Sequence, residues 1–331
     1  MLRPVSGLDR VRLRLDRVRA AVGEIDPAFL DTPAWLCAPL GRALGCSVTL
    51  KVETLNPVRS FKGRGTDMAA VVACARGASR VVCASAGNLG QALAYSGRHR
   101  GLEVTVVAAR TANPLKLRQI AAFGADLRID GEDIEDARLL AREVAEVGHA
   151  YLVEDSLDLA TCEGAATIGL ELVRDDPGLD VVLVALGGGA MASGVGYAVG
   201  SLAENVEVIG IQPAGAPAMA LSWRQRTVVD TDRIETIADG VAGRYPIPEV
   251  LDDLLVVLDD VTLVREDSIK AGMRMIYEHA GLVVEPSAAL GVAAVLEEPE
   301  RFAGRRVTTI LCGSNVSPTD FARWVLEPAS R

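Results

Sequence analysis

Histidine is scarce in this chain. There are only 3 in 331 residues, His99, His149 and His279, too scattered to suggest a metal cluster. The six cysteines, Cys37, Cys46, Cys74, Cys83, Cys162 and Cys312, include no C-x-x-C pair. That argues against a zinc site. Several lie in apolar runs, as buried free thiols of a reducing cytoplasm do, rather than disulfides. No apolar run reaches the roughly 20 residues of a membrane-spanning helix. Positive charge is also short: Lys plus Arg number 34 against 44 Asp plus Glu, a formal net charge of −10. That argues against nucleic acid as the main partner, yet leaves room for a small anion held by backbone amides. No internal repeat or low-complexity tract stands out.

Apolar residues, by contrast, are plentiful. Half of the chain is hydrophobic and 24% is charged, enough for a sizeable core and too apolar for disorder. The length admits one large or two modest domains. Residues 9–22 read as an amphipathic helix, with Val11, Leu15, Val18 and Val22 on one face. Its arginines would also suit a transit peptide, but Asp9, Asp16 and the shortage of serine favour a docking helix. A strand over 48–53 and a helical run from Met68 to Ala75 follow. Strands at 80–84, 103–108 and 126–129 then alternate with helices at 90–98, 113–123 and 134–147, and 151–153 closes the block. Such alternation implies parallel βαβ units. Beyond a helix over 162–172, the unbroken apolar strand 181–186 fits a sheet covered on both faces. Strands are expected at 206–211, 253–257 and 306–311, and helices at 268–280 and 288–296.

Three stretches carry chemistry. In Ser60-Phe61-Lys62-Gly63-Arg64-Gly65, Lys62 is either a surface cation or an amine that forms a Schiff base with an aldehyde cofactor. In Ser85-Ala86-Gly87-Asn88, a turn before a helix offers N–H groups and a hydroxyl to a carboxylate, while Asn88 would also serve as a helix cap. In Gly187-Gly188-Gly189-Ala190-Met191, small residues let backbone N–H groups converge on an anion, with a helix dipole behind them. A ligand-free turn would look the same. So would a loose dinucleotide fingerprint, Gly187-x-Gly189-x-x-Ala192, but the acidic residue that motif wants is replaced by Gln212.

Taken together and in this order, the motifs resemble the pyridoxal-phosphate enzymes of the serine/threonine dehydratase group. These are fold-type II enzymes, the tryptophan synthase β-subunit family. The resemblance runs from Asp31-Thr32-Pro33 to Cys312-Gly313-Ser314-Asn315. It implies an α/β protein of two domains, each a mainly parallel sheet flanked by helices, with the active site in the cleft between them. Residues 1–79 and 156–331 would form a large cofactor-binding domain, and 80–155 a small inserted one. Lys62 would bind pyridoxal phosphate and serve as the base. Gly187, Gly188, Gly189, Ala190 and Met191 would cradle its phosphate, Asn88 would meet its ring hydroxyl, and Phe61 would pack beside the ring. Cys312 would face the ring nitrogen, a neutral partner suited to early loss of a β leaving group. Ser85, Ala86, Gly87 and Asn88 would anchor the substrate carboxylate. Ala238-Asp239-Gly240 and Glu285-Pro286-Ser287 match strings near the cofactor, and Glu163 and Glu171 match a helix that supports structure.

The departures carry information too. Ala34-Trp35-Leu36 stands where the family has Pro-Leu, and Ala190 replaces a fourth glycine. Related racemases have a serine as a second base where this chain has Ala86. Some relatives bind a divalent metal through an acid where it has Gln212. Racemisation and that metal site are therefore not expected. The chain ends soon after Cys312, so the regulatory domain of biosynthetic threonine dehydratases is not expected either. The implied reaction is β-elimination of water from a β-hydroxy amino acid such as L-threonine or L-serine, giving a 2-oxo acid and ammonia. A cytoplasmic homodimer is expected, with a small amino acid as substrate and no nucleic-acid or membrane partner. Alternatives are β-replacement as in cysteine synthases (which carry Thr-Ser-Gly-Asn at the carboxylate loop), a nicotinamide-dependent oxidoreductase, and a non-catalytic relative.

Overall fold

The computed structural model describes residues 7–112 and 114–327. Two sheets organise it. The larger has six strands: β1 (Ala34–Leu36), β2 (Ser47–Val52), β7 (Val181–Ala185), β8 (Glu207–Pro213), β9 (Asp260–Val264) and β10 (Arg306–Leu311), in the order β1-β2-β10-β7-β8-β9. All its pairings are parallel except that of the short edge strand β1 with β2. The smaller sheet is wholly parallel: β3 (Arg80–Ala84), β4 (Glu103–Ala108), β5 (Asp126–Ile129) and β6 (Tyr151–Leu152), in the order β5-β4-β3-β6. Parallel strands need crossovers, and helices supply them.

The helices that position the cleft are α1 (Leu15–Glu24), α2 (Ala38–Leu44), α3 (Lys62–Ala75), α4 (Asn88–His99), α5 (Pro114–Ala122), α6 (Ile134–Gly148), α7 (Leu159–Asp175), α8 (Ala190–Leu202), α9 (Ala218–Gln225) and α10 (Pro248–Val257). Asn113, with which the sequence reading starts α5, lies outside the described residues. Helices α3, α7 and α8 approach backbone to backbone. A Cβ at Gly65 would lie 2.6 Å from the Thr161 carbonyl oxygen, and one at Gly194 would lie 2.5 Å from that of Cys162. The apolar core of the smaller sheet also takes in Ala21, Phe29, Val58, Met68 and Ala73, so α3 packs on that sheet although it precedes β3.

Two elements differ from the sequence reading. Residues 253–257 belong to the helix α10, not to a strand; β9 follows it. Val250, Leu251, Leu254 and Val257 are buried at helical spacing, and Pro248 sits at the first turn, where its missing N–H costs nothing. Residues 9–22 are not one helix. A short 3-10 turn covers Leu8–Arg10, an extended stretch follows, and α1 begins at Leu15. The Arg12 amide donates to Asp253 Oδ1 (2.9 Å), so a distant carboxylate takes the N–H that a continuous helix would have used.

Candidate active site

The motif residues meet at the carboxyl ends of the parallel strands, where α/β sheets bind ligands. Lys62 follows β2, Ser85 follows β3, Gly187 follows β7 and Cys312 follows β10. A cleft of about 590 Å³ opens there, lined by all four together with Asn88, Asp155, Gln212 and Glu285.

Side chains shape the Lys62 loop. Asn56 Oδ1 accepts the Val58 and Ser60 amides (3.1 and 3.4 Å). The Phe61 amide donates to the Cys312 carbonyl (3.0 Å), and Ser60 bridges to Gly313. The loop is thus fastened to the end of the neighbouring strand. The helix starts at Lys62 itself rather than near Met68, so the motif forms its first turn. The Lys62 ammonium lies 4.7 Å from the Phe61 ring centroid and pairs with Asp155. Arg64 points the other way, into the protein, and is 0% exposed. It donates to both Glu53 oxygens (2.8 Å each) and to Glu171 Oε1 (2.6 Å), and Lys51 pairs with the same Glu171. The arginine of the motif therefore serves packing.

The glycine run is a cradle in which each glycine is hemmed in: a Cβ at Gly187 would lie 3.0 Å from the Val241 Cα. Gly189 has φ of +108°, and an added Cβ would lie 2.4 Å from Val250; a Cβ at Gly188 would lie 2.9 Å from Ser156 Oγ. Ala190 is the first residue of α8 and needs no unusual φ. Its side chain costs nothing there, and its N–H, which donates to Ser156 Oγ (3.1 Å), remains at the mouth of the helix.

Asn88 is not the helix cap that its residue type allowed. Gly87 occupies the cap position, and Asn88 opens α4. Its amide donates to Glu285 Oε1 (2.8 Å), while its Oδ1 accepts from Asn315 Nδ2 (2.8 Å). Ser85 Oγ accepts the Gly87 amide (3.1 Å), leaving its own hydrogen for a ligand. Cys312 is buried. Burial first, then the charge of Glu285, pushes its thiol well above the usual range, so it is neutral. Gln212 is buried, and its Oε1 accepts the Ala220 amide (2.9 Å).

Sequence reading missed Asp155 and Ser156. They lie in the connection between β6 and α7, outside the quoted strings. Ser156 has φ of +62°, a strain that a residue type without special liking for that region does not advertise.

The residues fit pyridoxal phosphate. The Gly188 and Gly189 backbone would not accept side chains, the start of a 13-residue helix faces the cleft, and the amine of Lys62 opens into it. Buried Ser287 Oγ and Asp155 Oδ1, both in residues that line the cleft, have no hydrogen-bond partner among the described residues, as expected where a ligand is to come.

Comparison with known proteins agrees. The sequence profile of the family described as pyridoxal-phosphate dependent enzyme matches residues 25–313. L-threonine ammonia-lyase of Thermotoga maritima is 32% identical, over 84% of this chain and 69% of its own length. Biosynthetic L-threonine dehydratase of Pasteurella multocida is 30% identical over 86% of this chain; the chain spans only 56% of that enzyme. The structure of maize serine racemase superposes with a TM-score of 0.88 at 26% identity, covering 93% of this chain and 95% of that one.

Proposed function

The chain belongs to the pyridoxal-phosphate dependent enzymes, and from that membership we propose that it catalyses β-elimination on a small L-amino acid. Serine and threonine are the default substrates, as the names of the relatives suggest; the products are a 2-oxo acid and ammonia. A single observation carries this reading: Lys62, the N–H cradle and the Ser85–Asn88 turn line one cleft. When bound, the cofactor supplies an electron-withdrawing ring that acidifies the substrate's α-hydrogen.

The chain's residues do the rest. Gly187 to Met191 would hold the phosphate through backbone N–H groups. Phe61 would flank the ring and Asn88 would orient it, with Glu285 and Asn315 fixing the Asn88 amide. Ser85, Ala86, Gly87 and Asn88 receive the substrate carboxylate. Lys62 accepts the α-proton at Nζ. Cys312 would offer the ring nitrogen a neutral thiol, a setting suited to early loss of a β leaving group. Ala86 presents no acid or base, so the opposite face of the substrate lacks a proton donor there. That supports elimination over racemisation, although a racemase is among the relatives. With the family assigned, a nicotinamide cofactor drops out.

A cytoplasmic setting belongs to the same proposal. Its support is that all six cysteines are free, with only Cys74 exposed, as in a reducing compartment. No helix among the described residues is long and apolar enough to cross a membrane.

Lys62→Ala tests the reaction. It should lower 2-oxo acid production by at least about 10³-fold, while far-UV circular dichroism and melting temperature stay near those of wild type. Activity within tenfold of wild type would remove Lys62 from the chemistry.

A further inference from the structure

We infer that the cleft is built for an amino acid carrying a second, cationic amino group on its β-carbon, and that Asp155 is the residue that binds this group. The inference rests on the elimination reading above and narrows its substrate from a hydroxy to a 2,3-diamino acid.

Asp155 is placed by a costly piece of backbone. Its neighbour Ser156 sits at φ +62°, a region that non-glycine residues occupy only when their surroundings force them. The surroundings do. The Ser156 amide donates to Thr161 Oγ1 (3.2 Å). The Ser156 carbonyl accepts from Arg12 Nη2 (3.1 Å) and from the Cys162 thiol (3.3 Å), and the Leu157 carbonyl accepts from Arg12 Nη1 (3.3 Å). Arg12 is itself held by Asp253 (2.7 Å). The outcome is a carboxylate aimed into the cleft, with its side chain 30% exposed.

The charge balance points the same way. The acids lining the cleft are Glu135, Asp155, Asp239 and Glu285; the bases are Lys62, Lys116, Arg138 and Arg244. Arg138 pairs with Glu135, Lys116 with Asp239, and Arg244 with Asp133 outside the lining. Among the described residues, the cation paired with Asp155 is Lys62. Lys62 is also the amine that would hold pyridoxal phosphate. With Lys62 so engaged, Asp155 would face the cleft without its partner, and its buried Oδ1 has none among the described residues. The carboxylate also lies close to the phosphate cradle: its Oδ2 is 4.0 Å from where a Cβ on Gly188 would stand. Two anions side by side with no cation between them are unfavourable, and a substrate ammonium relieves both.

The chemistry is consistent with that occupant. Lys62 takes the α-proton. The β-carbon–nitrogen bond breaks, and its electron pair leaves with the nitrogen, so an ammonium departs as neutral ammonia and needs no acid. A hydroxyl would leave as hydroxide unless protonated. The net reaction balances: a 2,3-diamino acid plus water gives a 2-oxo acid and two ammonia.

The holoenzyme decides. Pyruvate is the common product from L-serine and L-2,3-diaminopropionate, so kcat/KM is read in one assay. Wild type should favour diaminopropionate by at least about tenfold, and Asp155→Asn should cut that ratio by about 10- to 100-fold, the size expected for loss of a charged hydrogen bond. Asp155→Ser repeats the measurement if asparagine disturbs cofactor loading. A binding readout stands apart from turnover. Lys62→Ala should be stabilised thermally by diaminopropionate more than by serine, and Lys62→Ala/Asp155→Asn should lose the difference. A wild-type preference for serine, or a ratio unmoved in both Asp155 variants, overturns the inference. If neither compound yields pyruvate while diaminopropionate still stabilises Lys62→Ala, the elimination reading fails and the ligand assignment stands.

Discussion

Glu285 is an acid in a place that resists its charge. It is 4% exposed, and burial raises its pKa to about 7 from the ordinary 4.5; Lys116 and the hydrogen bonds from Asn315 and Asn88 pull it down, while Asp239 pushes it up. Between those values the folded protein holds a proton that the unfolded chain has released. Stability from this residue is therefore greatest at low pH and falls as pH rises through the window from about 4.5 to about 7. The slope is at most about 1.4 kcal/mol per pH unit, with no further loss above the window. Urea melts of wild type and Glu285→Gln at intervals between pH 5 and 8 isolate it, because the other titrations cancel in the difference. A difference constant across that range would show that Glu285 does not titrate there.

At the scale of elements, α3 carries the reactive lysine on one side and a fully buried ionic network on the other. Arg64 bridges Glu53 at the end of β2 to Glu171 on α7, so the first turn of α3 is fixed to the strand before it and the helix beneath it. Arg64→Ala leaves two buried carboxylates short of their partner and should cost about 3–5 kcal/mol, read from the shift in a denaturant midpoint at unchanged m-value. A loss under about 1 kcal/mol would mean that water or Lys51 takes over. The same helix marks how far the sequence could be read. Its lysine, the glycine run and Asn88 were legible because each sits in a short string that ends a strand and opens a helix. The Asp155–Ser156 turn was not, since its conformation is imposed by Arg12, Thr161 and Cys162, which are distant in sequence or silent as types. Residues 253–257 were misread for a related reason. A short apolar run has no period of its own, and Pro248 and Val250, which reveal the helix, lie just before it.

Across the whole molecule, contacts from residues of the smaller-sheet segment span the cleft to loops of the larger. Asn88 reaches Glu285 and Asn315, Lys116 pairs with Asp239, and Asp133 pairs with Arg244. Partly exposed ion pairs contribute only about 0–1 kcal/mol each, so their effect should lie in closing the cleft rather than in holding the fold. Lys116→Met should then raise KM several-fold, with a melting temperature within about 3 °C of wild type. Initial-rate kinetics beside a thermal melt would show it, and an unchanged KM would leave the pair without a closing role.

The ties that Arg12 makes to Asp253, Ser156 and Leu157 have a consequence away from the cleft. The segment before α1 works as a strap across the back of the phosphate cradle, and coupling between two sites is reciprocal. If loading the cradle tightens the strap, a tightened strap favours loading to the same degree. Exposure of residues 7–12 to a protease is then linked to cofactor occupancy at a site that the protease never touches.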